Sequence, residues 1–441
     1  MVDIKKIRED PNWFREEIKK RNNKELLKAF DDFLKIDEDW RRIKKECDEL
    51  RRERNRISKE INVMKKQGKD VSELIKKARE LPRKIKELEE KEKQLEIKRY
   101  ELLLLLPSPL DNDVPIGNEE DFEIIEYHGK PKVWREKVNE FKKENNTEYK
   151  EIDYKPLSHY DLVNLFDLVD SETAGMIAGS RFYIEKDELV ILDLAIIMHA
   201  LKFFKSRGFN NIVLPPYLIK SEIERKITHY DTFKEAIFHV KEDNLLLITT
   251  SEHPIAAMYI NKDLSSKQLP IRILAWSPAF RREAGAHGKD TKGIFRVKQF
   301  HKVELHSITT LRKDREELNF LVKVVKEYLN ELDLPYRVVK LASADVDKRA
   351  RIQIDIETWF PGQNKYRETH SIATVGDWIS RKINLKIDSK EYAANLYSTG
   401  VASQRMICAI LENNYDPYKN IIKIPKCLHK YTEFKEIKLK N

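Results

Sequence analysis

The 441-residue chain is poor in several features that would define a class of protein. Its three cysteines, Cys47, Cys408 and Cys427, are too few and too scattered for a disulfide framework or a zinc-ligand spacing. No zinc is therefore expected. Glycine is scarce, at 12 residues, and neither the Rossmann glycine fingerprint nor a P-loop occurs. The longest strongly apolar run, residues 102–106, is far too short to span a bilayer. The opening MVDIKKIRED is charged and has no apolar signal core. The expectation is a soluble cytoplasmic protein with no membrane partner.

Charge, by contrast, is abundant, at 36% of residues with a formal net charge of +9. Residues 41–100 hold 22 Lys and Arg against 13 Asp and Glu, so that segment carries the whole surplus. A basic excess on one elongated element suits a polyanionic partner, although most charge runs are only solvated helix faces.

Two apolar seams cross this segment. One runs Ile43, Cys47, Leu50, Arg54, Ile57, Ile61, Met64; the other Val71, Leu74, Ala78, Leu81, Ile85, Leu88, Glu92, Leu95. Steps alternating between four and three average 3.5 residues, the spacing of a coiled coil. Gly68, in KKQGKD, offers a reversal point, so two long helices, the first from about residue 33 to 67, form an antiparallel arm. Pro82, inside the second helix, is expected to bend or loosen it.

The stretch PSPLDNDVPIGNEED, residues 107–121, reads as a linker. Beyond it lie helices and strand-like runs, including LLLITT, IRILAWSPAF, GIFRVKQFHKVEL and RIQIDIETWF. Their mixed alternation fits an antiparallel sheet better than βαβ repeats, giving an α+β fold class.

Residues 280–304 read FRREAGAHGKDTKGIFRVKQFHKVE. If antiparallel strands flank the loop, Arg281 and Glu283 share a face of the first strand, Arg296, Phe300 and Glu304 share a face of the second, and one sheet surface can present all five. Guanidiniums can grip phosphate or carboxylate in bidentate fashion, and an aromatic plane can stack on a base. A salt-bridged surface hairpin is the plainer reading of the same residues.

The stretch from Arg281, Arg282 and Glu283 to Arg296, Val297, Phe300 and Glu304 resembles motif 2 of class II aminoacyl-tRNA synthetases, in its seryl-tRNA synthetase form. GFNNIVLPP, ending near Pro215, is similar to motif 1, and residues 394–413 to motif 3, with Arg405 as its arginine. The opening, from Asp3 to Pro11, and the arm also resemble this family in its zinc-independent type. Residues 128–158 match poorly.

The resemblance implies an N-terminal tRNA-binding domain at 1–108, a linker at 109–122 and a class II catalytic domain at 123–441. It implies Arg281 and Arg405 as catalytic residues, with Arg281, Arg282, Glu283, Arg296, Val297, Phe300, Glu368, Ser371 and Arg405 at ATP. Mg²⁺ would sit on Glu368 and Ser371, and L-serine on Thr250, Ser251, Glu252, Glu304 and Thr399. A homodimer is implied, as is tRNA(Ser), held by its long variable arm against Lys44, Lys45, Arg51, Arg52 and Arg56, with tRNA(Sec) a second candidate.

Two departures stand near the substrates. The common S-x-S-N is here Ser371–Ile372–Ala373–Thr374, and Tyr397 stands where asparagine is usual. They leave open a paralogue that binds RNA without aminoacylating. A ligase charging a carrier protein would have no evident use for the basic arm.

Overall fold

The 3.5-residue seams emerge in the computed structural model as two long helices. The structure describes residues 1–230, 234–283 and 292–440. They form two compact units, one spanning Val2–Pro107 and the other Met1 with Ser108–Asn441.

In the first unit, short helices α1 (Ile4–Glu9) and α2 (Pro11–Lys19) precede α3 (Lys24–Lys66) and α4 (Ser72–Leu105). Helix α3 begins earlier than its seam, because Asn23 caps the backbone N–H groups of Glu25 and Leu26. The reversal falls where expected, with Gly68 in the left-handed region at φ +69°. Ile57, Leu81 and Ile85 bury the outer seam, with Leu50, Ile61, Leu74 and Ala78 packed against them. Helix α4 continues through Pro82. Nearer the base, the buried Asp37 carboxylate accepts hydrogen bonds from Arg8, Arg41 and Arg99, and Arg99 lies 3.9 Å from the centre of the Trp40 ring.

The second unit is built on an eight-stranded sheet. In chain order its strands are β1 (Glu123–His128), β2 (Asn211–Val213), β3 (Ile271–Phe280) and β4 (Gln299–Thr309). They continue with β5 (Tyr336–Lys340), β6 (Ile352–Phe360), β7 (Lys365–Gly376) and β8 (Ala394–Ala402). Their spatial order is β1-β5-β6-β7-β8-β4-β3-β2, antiparallel except for the edge pair β3–β2.

One face of this sheet is apolar. Val303, Leu305, Ile372 and Val401 are wholly buried there. Helices α5 (Glu188–Ser206) and α7 (Asp314–Glu331) cover it: Phe204 of α5 approaches Gly400, and Glu317 of α7 accepts from the Ser307 hydroxyl. A short helix α6 (Glu252–Ala257) lies between β2 and β3 in the chain, and α8 (Ser403–Asn414) follows β8.

Residues 108–115, read from sequence as part of a linker, are hydrogen bonded within the second unit. Ser108 bonds to the carbonyls of Lys348 and Arg349, Asp111 to that of Arg351, and the Pro115 carbonyl accepts from Ser343. Residues 128–158 add a small parallel strand pair and a helix, whose Val133 and Phe141 pack on Trp359 and Tyr366.

Candidate active site

The other face of the sheet is polar, and alternation puts it there. Phe300, Lys302, Glu304 and His306 project from one side of β4. Strands β7 and β8 would break the pattern, because residues three apart in a regular strand point to opposite faces. Two bulges restore it. Between β6 and β7, Ile356 pairs with His370 but Glu357 with Glu368, so Thr369 is an extra residue. Glu368 and Ser371 thereby face the same way. Between β4 and β8, Val303 pairs with Val401 but Glu304 with Thr399, which makes Gly400 the extra residue. Bulges of this kind re-aim side chains at sites. A Cβ on Gly400 would stand 3.0 Å from Phe204 and 3.2 Å from the Val303 carbonyl oxygen.

This face floors one cleft, lined among others by Thr250, Glu252, Arg281, Glu283, Arg296, Val297, Phe300, Glu368, Ser371, Thr399 and Arg405. Glu304 is fully buried behind it. Arg282 is exposed and Ser251 is buried, and neither lines the cleft.

One expected device differs. Strand pairing stops at Phe280–Gln299, so strand alternation does not place Arg281, Glu283 or Arg296. Glu283 adopts a left-handed φ of +53°, which ends the extended chain. Arg296 reaches the site from the preceding bend by an ion pair with Glu283 at 2.5 Å. Residues 284–291 of the intervening loop lie outside the described residues.

The cleft has two chemical ends. At one, Arg405 lies 3.1 Å from the Glu368 carboxylate and donates to the Glu368 carbonyl. Arg405 and Arg281 hold the Glu368 carboxyl below its usual range against the cost of burial. Arg281 donates to the Thr249 carbonyl, and its guanidinium lies 5.2 Å from the centre of the Phe300 ring. Arg405 stands 5.0 Å from the centre of Phe295, an aromatic that the sequence reading passed over. Three guanidiniums and two aromatic rings around one opening suit a polyphosphate carrying a base.

At the other end lie acids. Burial raises the Glu304 carboxyl, opposed by contact with Lys302 and by the Thr250 hydroxyl, which donates at 3.2 Å. Among the described residues Glu304 Oε1 has no hydrogen-bond partner despite its burial. Burial also works against the charge of Glu252, yet Arg349 keeps its carboxyl below the usual range. An acceptor-rich pocket with an unpaired carboxylate oxygen fits a small cation such as an α-ammonium group.

Oxygen donors also meet where a divalent cation would be needed. Ser371 sits directly across from Asp355, and Gln353 bonds to both. With Glu368 re-aimed by its bulge, the donors are hard oxygens, the kind that suit Mg²⁺ shared with phosphates. Among the described residues no group of three or more His, Cys, Asp or Glu could hold a metal by itself. No helix among them is long and apolar enough to cross a membrane.

Lys302, Arg349, Asp347 and Phe295 are among the cleft residues that sequence reasoning missed. Lys302 was legible, since it alternates between Phe300 and Glu304. Arg349 and Asp347 lie in an irregular crossover between β5 and β6, where no period marks them.

On the arm, the basic residues singled out from sequence are mostly paired. Arg51 bonds to Asp48 at 3.0 Å and across the hairpin to Glu89 at 2.8 Å. Lys44, Lys45 and Arg56 stand 3.8–3.9 Å from Glu92, Glu49 and Glu53, and Arg52 is exposed.

An antiparallel sheet with a bulge-aimed polar face, floored by an arginine-rich nucleotide end, is the architecture of a class II aminoacyl-tRNA synthetase. Residues 233–414 match the family model for the tRNA synthetase class II core domain (G, H, P, S and T). Residues 1–109 match the seryl-tRNA synthetase N-terminal domain. A serine–tRNA ligase of Picrophilus torridus is 40% identical over 344 residues, covering 77% of both chains. The seryl-tRNA synthetase of Pyrococcus horikoshii, solved with ATP, superposes with a TM-score of 0.94 at 40% identity over the whole of both chains. The cytoplasmic serine–tRNA ligase of Naegleria fowleri, solved with AMP, gives 0.82 at 30% identity over 98% of this chain and 96% of that one. The chain belongs to the seryl-tRNA synthetase family.

Proposed function

We propose that the cleft activates L-serine with ATP and transfers it to the 3′ end of tRNA(Ser). One observation carries this reading: a cationic, aromatic end and an acidic end meet on one sheet face, with Arg281 lining the same cleft as both. Thr250, Glu252, Glu304 and Thr399 take the ammonium and hydroxyl of serine. Arg281 draws its carboxylate toward the α-phosphate, while Phe300 stacks on adenine. Arg296 and Arg405 meet the outer phosphates.

The serine carboxylate attacks the α-phosphorus and pyrophosphate leaves. The terminal ribose hydroxyl of the tRNA then attacks the mixed anhydride and releases AMP. These residues supply positioning and neutralise charge, and no covalent enzyme intermediate is needed. Glu368 and Ser371 would hold Mg²⁺, which when bound offsets phosphate charge. A pocket that hydrogen-bonds the serine hydroxyl rejects alanine, because its polar groups would be left unpaired.

In this reading residues 1–108 bind tRNA through the arm, 109–122 connect, and 123–441 carry catalysis in the cytoplasm. Serine-dependent exchange of labelled pyrophosphate into ATP tests the activation step. Its absence would favour a paralogue that binds RNA without aminoacylating.

A homodimer is part of the proposal. Helix α5 leaves Val190, Ile191, Leu194 and Met198 exposed, and Ile212 and Leu214, at and just beyond the edge strand β2, are exposed too. Exposed apolar residues beside an open strand edge suit a second copy of the chain. Sedimentation at micromolar concentration should give a dimer, and Leu194→Asp should shift it toward monomer. A monomeric wild type would contradict the assignment.

A further inference from the structure

The cleft contains a cation, Arg349, that this reaction scheme leaves unused. Arg349 is only 7% exposed, and its side chain joins two carboxylates. Nη1 donates to Glu252 Oε1 at 2.9 Å, while Nη2 and Nε donate to Asp347 at 2.9 and 3.2 Å. Asp347 Oδ1 also accepts the backbone N–H of Arg349 at 2.7 Å, which closes a tight loop around the guanidinium. From the sheet, the Tyr397 hydroxyl donates to Asp347 Oδ2 at 3.3 Å, and the Arg349 guanidinium lies 5.3 Å from the centre of the Tyr397 ring. All four side chains line the cleft.

These contacts connect three separate parts of the chain: the start of α6, the crossover before β6, and β8. Glu252 is almost fully buried on the first residue of a six-residue helix, with Glu304 as a second buried acid nearby. Two neighbouring buried carboxylates do not both stay ionised without matched cations. Lys302 serves Glu304, and Arg349 serves Glu252.

We propose that Arg349, aimed by Asp347 and Tyr397, is the positioning residue of the amino-acid pocket, fixing the Glu252 carboxylate toward the incoming serine. The proposal rests on the assignment of Thr250, Glu252, Glu304 and Thr399 to serine. It gives the tyrosine found in place of the family's usual asparagine a role, since its hydroxyl is bonded to the carboxylate that orients Arg349. Arg349 does not touch the reacting atoms, and the ATP end of the cleft does not depend on it. The two substrates should therefore respond differently to its loss.

The test is pyrophosphate exchange by the full chain, with serine and ATP varied separately. Tyr397→Phe removes one hydroxyl and should raise the KM for serine by about three- to tenfold, the net worth of one ordinary hydrogen bond. Arg349→Met strands the buried Glu252 carboxylate and the half-buried Asp347 and should raise it by about 100-fold or more. Arg349→Lys should recover part of the loss. The KM for ATP should stay within about twofold in every variant that melts as a folded protein. Because Arg349→Met could unfold the chain, Tyr397→Phe and Arg349→Lys decide the matter on their own. Folded variants with an unchanged KM for serine overturn the proposal. So does a rise in the KM values for serine and ATP together, which marks a merely structural staple. A wild-type enzyme that exchanges pyrophosphate with another amino acid but not serine overturns the pocket assignment itself, a failure distinguishable from the first.

Discussion

Arg281→Ala should abolish serine-dependent pyrophosphate exchange, with a loss of at least about 10²–10³-fold. Arg281 is half-buried at the junction of the two ends of the cleft, its Nε fixed by the Thr249 carbonyl and its plane beside Phe300. Burial, and then the neighbouring Arg405 cation, work against its charge, while Glu283, Glu368 and Glu304 favour it. A cation held in a poorly hydrated position gains much when a phosphate and a carboxylate arrive together. The two described guanidiniums nearby are already engaged, Arg296 with Glu283 and Arg405 with Glu368. Arg281→Lys should rescue poorly, because an ammonium cannot present two parallel donors. Exchange within a few-fold of wild type in Arg281→Ala would remove this residue from the site.

Deleting the arm between Ile43 and Leu95 should separate the two half-reactions. The Lys44–Glu92 and Arg51–Glu89 contacts place the two helices side by side at the cut, so a short turn can rejoin them. Below it, Asp37 remains bonded to Arg8 and Arg99, which holds the base of the hairpin. The removed segment holds 18 Lys and Arg against 12 Asp and Glu, most of the chain's basic surplus, and belongs to the unit that ends at Pro107. Serine activation should remain near normal while charging of tRNA(Ser) falls steeply. Binding by the intact chain should weaken as salt rises, since phosphate contacts release counterions. Double-stranded RNA is read largely through backbone and shape, so removing the variable arm of the tRNA should reduce affinity as well. The pairing of Arg51 with Asp48 and Glu89 makes exposed Arg52 the better single-site probe of phosphate contact. Full charging by the truncated protein would reduce the arm to an ordinary solvated hairpin.

The sequence by itself determined what is periodic and local. The 3.5-residue seams specified the paired helices, and Gly68 their reversal, because each depends on neighbours within a turn or two. Alternation along 299–309 likewise placed Phe300 and Glu304 on one face, with Lys302 between them. The resemblance to a known family supplied residues such as Glu368, Ser371 and Thr399, which no local period could link. What let those residues share a face was decided by tertiary structure. The extra residues Thr369 and Gly400 exist only as mismatches between partner strands, and a single strand carries no record of its register. The same holds for Arg296, which is brought in by Glu283 after strand pairing has ended, and for Arg51, whose charge is taken up across the hairpin. Arg349 is the clearest case. Its partners Glu252, Asp347 and Tyr397 come from three segments, and an irregular crossover gives no pattern that foretells their meeting. Local periodicity set the elements; only packing distant parts of the chain around a buried polar face decided which charges would meet there.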